Sequence, residues 1–199
     1  MHPNPAFRWI DDPALRAFIS NASFAIIAIV VEGRVMTAQA PLVFDAEGNP
    51  AFHLARANPV VPHLDGGPVL ATILGEHGYI SPDWYGTADQ VPTWNYRLVE
   101  IEGVARRLDE AGLIDQLDRL SATQEALLAP KTAWTREKMA PARFGAMTRA
   151  ITGFAIEAAT IRGTAKLGQN KSAAEAAGAI AGLRALGRHA LAAEMETAR

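Results

Sequence analysis

The chain has 199 residues, 49% hydrophobic and 20% charged, a length and balance that give one ordinary globular domain enough apolar surface for a core. Its 19 Lys and Arg against 21 Asp and Glu leave a net charge of -2, so no basic field draws it onto nucleic acid or anionic lipid, and direct nucleic-acid binding is not expected. Cysteine is absent, which excludes disulfides, thiolate nucleophiles and Cys-based metal centres.

The N-terminus carries Pro3, Pro5 and Pro13 with the acidic pair Asp11-Asp12, whereas an export signal needs a basic start and an unbroken apolar run. The longest apolar stretch, Phe24 to Val31, is too short to cross a bilayer and reads as a buried strand. A cytoplasmic protein with no membrane association is the expectation.

Asp11-Asp12-Pro13 supplies a cap and an early-turn proline for a short helix over residues 12 to 21, with Leu15, Phe18 and Ile19 facing inward. Phe24 to Val31, the turn Glu32-Gly33, and Arg34 to Ala40 form a hairpin pattern. Asp45 to Asn49 is rich in turn formers and separates Pro41-Leu42-Val43-Phe44 from Ala51-Phe52-His53-Leu54. Asn58-Pro59 and Pro62 fit a short helix, and Val69 to Leu74 resumes as a strand. Residues 76 to 96 read as a long irregular segment, followed by a strand from Tyr96 to Leu108 with a bulge at Gly103.

From Asp109 to Ala129 the period becomes helical, with Leu113, Ile114, Leu117, Leu120 and Leu127 on one face, and helices continue to about residue 150. Strand alternation returns from Gly153 through Ile161, and Lys166 to Asn170 turns out of the sheet. Ser172 to Arg199 is an Ala-rich helix interrupted by Gly178, Gly182 and Gly187. The expected architecture is a single domain over residues 1–199, with a helical insertion at about 109–150 and a C-terminal helix at about 172–199.

No Rossmann, P-loop, zincin or nucleophile-elbow motif is present, and the five histidines lack metal-ligand spacing, so no dedicated metal site is expected. Three clusters of polar and aromatic residues remain: His53-Leu54-Ala55-Arg56-Ala57-Asn58-Pro59, Val91-Pro92-Thr93-Trp94-Asn95-Tyr96, and Lys166-Leu167-Gly168-Gln169-Asn170-Lys171. A phosphorylated, flat ligand needs a cationic fork, an apolar slot and hydrogen-bond partners along one ring edge, and these clusters offer such groups. On the residues alone, Arg56 can equally be a solvated arginine beside an Asn-Pro turn, and His53 a structural histidine.

With Pro5-Ala6-Phe7 and Gly78-Tyr79-Ile80-Ser81-Pro82-Asp83-Trp84-Tyr85 added, the order and spacing of these segments resemble the PaiB-type FMN-binding negative transcriptional regulators along almost the whole chain. The wider group is similar to the pyridoxamine-phosphate-oxidase split barrels. The resemblance implies a mainly β (α+β) fold, an FMN-binding split β-barrel with peripheral helices, a homodimer, and FMN in the groove between subunits. It implies cofactor contacts from His53, Arg56, Asn58, Trp94, Asn95, Lys166, Gln169 and Asn170. This chain departs from the family pattern at Thr37-Ala38-Gln39-Ala40-Pro41, where relatives read Thr-His-Leu-Pro, and at Gly168, where they carry serine. The implied function is a flavin-dependent regulator or sensor. The alternatives are a flavin-dependent oxidoreductase acting on a small molecule, for which no catalytic residue is identifiable, and a cofactor-free dimeric scaffold.

Overall fold

A computed structural model describes residues 2–199. The elements in chain order are β1 (Arg8–Trp9), α1 (Asp12–Ala22), β2 (Phe24–Val31), β3 (Arg34–Phe44), β4 (Pro50–Ala55), β5 (Pro68–Ile80), β6 (Thr93–Arg107), α2 (Glu110–Ala126), α3 (Pro141–Thr148), β7 (Ile151–Lys166), α4 (Ala173–Ala185) and α5 (His189–Thr197). The strands form one seven-stranded sheet in the order β1-β7-β4-β3-β2-β5-β6, and an additional β7–β6 pairing closes that order on itself. The chain divides into two compact units, one of residues 1–15, 74–99 and 162–199, the other of residues 16–73 and 100–161.

In the second unit, Glu32 (φ 50) and Gly33 (φ 76) both take left-handed conformations, the geometry a two-residue hairpin turn needs. That turn sets the register of β2 against β3, from Phe24 opposite Pro41 to Val31 opposite Arg34. Pro41 therefore lies inside β3, which runs unbroken to Phe44. β4 then pairs with β3 and β7, and Phe52 lies directly opposite Phe154. Their rings stack at 5.6 Å and both are almost fully buried. Each ring removed from water is worth ~2–3 kcal/mol.

α2 begins at Asp109, whose Oδ1 accepts from the Gly112 N–H at 2.8 Å. The helix lies close to β7 because residue 153 is glycine: a Cβ there would come within 3.0–3.1 Å of Leu113 and Leu108. Leu113 is buried on the inward face as expected, but Leu127 is 60% exposed, because the helix ends at Ala126 before its pattern completes.

In the first unit, β5 continues to Ile80, six residues past the expected end, so the irregular segment is confined to residues 81–92. The apolar alternation that predicts a strand stops at Leu74, but Ile80 is fully buried and extends the pattern beyond Gly75 and Gly78. Ile80, Tyr85, Leu167, Ala179, Leu183 and Leu191 belong to the local core of this unit.

The C-terminal helix is broken only at Gly187 (φ 73), giving α4 and α5. Gly178 and Gly182 interrupt nothing. They let α4 lie directly on Trp84, where a Cβ on Gly178 would stand 2.0 Å from the Trp84 carbonyl oxygen.

Candidate functional site

Two adjoining pockets of the second unit receive His53 and Arg56. Outward-facing His53 is half-buried on β4, between inward-facing Phe52 and Leu54. Its Nδ1 lies 3.0 Å from Oε1 of Gln116, which α2 carries into the interior at 0% exposure. Burial pushes the His53 pKa below its ordinary value, against a smaller opposite effect of the Gln116 hydrogen bond. The ring is neutral at physiological pH.

Arg56 follows β4. Its backbone N–H donates to Ala150 O at 2.8 Å and its Nη2 to Ile151 O at 3.2 Å, which ties it to the start of β7. It lines a pocket of about 360 Å³ together with Arg107 from the end of β6 and Arg149 after α3. Thr148, Thr152, Asp109 and Glu110 complete the polar lining. Thr152 Oγ1 is buried without a hydrogen-bond partner. A pocket lined by three arginines and by a threonine whose hydroxyl is unused fits a phosphate: arginine forks match phosphate oxygens, and a buried hydroxyl without a partner is costly until a ligand supplies one.

The second pocket, about 260 Å³, is lined by His53, Leu117, Trp134, Met139, Phe144 and Met147, and it shares Thr148 and Ile151 with the first. Its aromatic wall is held by specific bonds. The Trp134 N–H donates to Glu125 Oε2 at 2.7 Å, and Lys131 pairs with the same carboxylate. Arg136 reaches Asp118 on α2 at 3.4 Å and lies 5.8 Å from the centre of the Phe144 ring. Thioethers and aromatic faces of this kind suit a flat apolar ring.

Asn58 is committed to the loop after β4. Its Oδ1 accepts from Val60 N–H at 3.0 Å and its own N–H donates to Ala55 O at 2.8 Å, the arrangement of an Asx turn.

The remaining five expected contacts all lie in the first unit, Trp94 and Asn95 on β6 and Lys166, Gln169 and Asn170 at the end of β7 and the turn that follows it. Lys166 Nζ donates to the Thr93 hydroxyl and to Trp94 O, the latter at 2.8 Å, and burial with the nearby Lys171 charge lowers its pKa. Gln169 closes the turn on both sides, accepting from Leu167 N–H at 2.8 Å and donating to Ala165 O at 2.6 Å. Asn95 is buried and donates to Met195 Sδ at 3.3 Å. Trp94 is 54% exposed and meets Tyr79 edge-on at 5.3 Å, and Asn170 is exposed. Gly168 sits in this turn at φ 80, a conformation in which a serine would be strained, so glycine suits the local backbone.

Arg107, Arg149 and Thr152 are not among the contacts expected from the sequence. Arg106 makes an exposed ion pair with Glu157 at 3.2 Å, whereas Arg107 lines the pocket with Arg56. The available signal was the position of Arg107 and Arg149 at element ends beside polar residues. Gln116 was hidden inside an otherwise apolar helical face.

Among the described residues there is no group of His, Asp and Glu arranged to hold a metal ion, and no helix is long and apolar enough to cross a membrane.

The model of the family described as "Putative FMN-binding domain" matches residues 1–160. The chain is 28% identical over 159 residues to "Protease synthase and sporulation protein PAI 2" of Bacillus subtilis, covering 78% of this chain and 75% of that one. The structure is similar to the FAD and heme binding protein from Mycobacterium smegmatis, with a TM-score of 0.60 and 16% identity over 85% of this chain and 78% of that one. It is also similar to the flavocytochrome Anf3 from Azotobacter vinelandii, with a TM-score of 0.59 and 17% identity over 83% of this chain and 72% of that one. The fold is the mainly β split barrel with peripheral helices, and the chain belongs to this FMN-binding domain family.

Proposed function

We propose that the protein is a flavin-dependent regulator or sensor that holds the FMN phosphate in the arginine-lined pocket and the flavin ring in the adjoining aromatic pocket. The observation that carries the reading is that Arg56, Arg107 and Arg149 line one pocket together with Thr152, whose buried hydroxyl has no hydrogen-bond partner. Arg56 and Thr152 would hold the phosphate, while Trp134 and Phe144 would flank the ring and His53 would meet its edge. Bound FMN supplies reversible acceptance of electrons. The residues of this chain supply charge neutralisation, an apolar environment and one neutral imidazole. Trp94, Asn95, Lys166, Gln169 and Asn170 remain the proposed second set of contacts, with Asn170 and Trp94 the members most open to a ligand. With a net charge of -2, an effect on gene expression would run through a partner rather than through direct DNA contact.

A homodimer is part of this proposal. The outward face of β2 presents Phe24, Ile26 and Val30 to solvent, and Val35 of β3 stands opposite Val30. An uncharged apolar strip on a paired sheet suits a second copy of itself, because an isologous contact buries the same residues twice.

The oxidoreductase reading is favoured by one feature, the neutral His53 ring on the wall of the aromatic pocket, whose free nitrogen can accept a proton from a reduced ring and return it.

Gel filtration with FMN, followed by titration of the stripped protein with FMN and riboflavin, tests the cofactor site. Retained flavin and a loss of at least about tenfold in FMN affinity for Arg56→Ala, with riboflavin unchanged, are expected. Equal losses for both flavins would remove the phosphate from the arginine pocket. Reduction of the bound flavin by NAD(P)H with turnover on a small acceptor would decide for the oxidoreductase.

A further inference from the structure

Gln116 is an amide placed where an apolar side chain would be expected. It is fully buried on α2, one turn from Leu113, and its Nε2 has no hydrogen-bond partner. Burying a donor unused costs stability, whereas leucine at this position would fill the space without that cost. The polar contact it does make is with His53. A carboxamide oxygen can only accept, so the hydrogen in the 3.0 Å contact is carried by His53 Nδ1. In a neutral imidazole this leaves Nε2 as a lone pair. His53 lines the aromatic pocket, and among the described residues no hydrogen bond to Nε2 competes for it.

A site of this form reads the edge of a flat ring. Trp134, Phe144, Met139 and Met147 accept any planar apolar body of suitable size, so they discriminate little. A fixed acceptor does discriminate, because a ring with an N–H at its edge gains a hydrogen bond and the same ring methylated there does not. Oxidised flavin carries one ring N–H, at N3, between two carbonyl groups.

We propose that Gln116 is a positioning residue that fixes the tautomer of His53, and that His53 Nε2 accepts the N3–H of the flavin ring and selects N–H-bearing planar rings for this pocket. The inference rests on the flavin reading of the site and adds to it the atom that recognises the ring edge. The pair acts on binding selectivity, so its effect is visible without turnover.

The test compares FMN, 3-methyl-FMN and riboflavin by equilibrium titration of the stripped protein, read by flavin absorbance and fluorescence. Wild-type protein is expected to bind FMN about tenfold more tightly than 3-methyl-FMN, the difference one hydrogen bond makes. His53→Phe should bring that ratio close to one. Gln116→Leu should lower it several-fold, because Nδ1 loses its acceptor and either tautomer becomes available. A purely structural role for Gln116 would weaken both flavins together and leave the ratio unchanged.

A wild-type ratio near one with tight FMN binding overturns the proposal while the cofactor reading stands, and this outcome needs no variant to fold. A ratio that survives both substitutions overturns it as well. Failure of wild-type protein to bind either FMN or riboflavin removes the cofactor reading and this inference together.

Discussion

His53 on β4 and Gln116 on α2 meet at 3.0 Å, joining a sheet and a helix at residues 63 positions apart. Because burial lowers the His53 pKa below the ordinary 6.5, the folded state resists the proton that the unfolded chain accepts. Above pH 6.5 both states are neutral at this residue and its full contribution to stability is present. As pH falls from 6.5 toward the lowered folded value, the unfolded state is protonated first and stability is lost. Melting temperatures recorded against pH should therefore fall in acid, and His53→Gln should flatten the part of that slope immediately below pH 6.5. An unchanged slope would place the acid sensitivity elsewhere.

Replacing glycine by alanine inside an exposed helix ordinarily stabilises it by about 1 kcal/mol. Gly178→Ala should do the opposite. Its Cβ would lie 2.0 Å from the backbone oxygen of Trp84, which cannot swing aside as a flexible side chain can. Displacing α4 should cost more than the helical gain, on the order of 1–3 kcal/mol net. Urea unfolding measures it, and a stabilised variant would show that α4 does not pack this closely.

α4 opens with a reciprocal cap. The Glu175 N–H donates to Ser172 Oγ at 3.3 Å, and Glu175 Oε2 accepts from the Ser172 N–H at 2.9 Å. Ser172→Ala should lower stability by about 1 kcal/mol. Glu175 also accepts hydrogen bonds from Thr87 and Gln90, at 3.0 and 2.9 Å, so Glu175→Ala should cost more than Ser172→Ala. Chemical denaturation of the two variants side by side gives the order, and the reverse order would show that the contacts to Thr87 and Gln90 contribute nothing.

On β2, Ile26→Lys and Val30→Lys place charges on side chains that are already exposed within one chain, at 47% and 66%. They should fold normally and convert a dimer to a monomer in sedimentation, because a buried unpaired ammonium is costly at an isologous contact. A dimer that survives both substitutions would have its interface elsewhere.

Local chemistry made much of the fold readable. Asp11 caps α1 through a 3.0 Å bond to the Ala14 N–H, and Asp109 caps α2, each an acidic residue at the start of an apolar period. Glu32-Gly33 takes the turn its residue types favour. The misread stretches share a cause. Gly78 lies within β5, and Gly178 and Gly182 within α4, because a neighbour approaches closely there; glycine read as punctuation was glycine providing space.

The sequence by itself determined the class of the protein: period-2 runs and turn residues specify strands, and the motif order resembles an FMN-binding family, since both signals are carried by residues near one another in the chain. The tertiary structure decided which charges share a pocket. Arg56, Arg107 and Arg149 come from the ends of β4, β6 and α3, and the tautomer of His53 depends on an amide a helix away. Sequence spacing encodes a local period, whereas a binding site is a set of distances among distant segments, and those are set only when the sheet closes and α2 packs onto it.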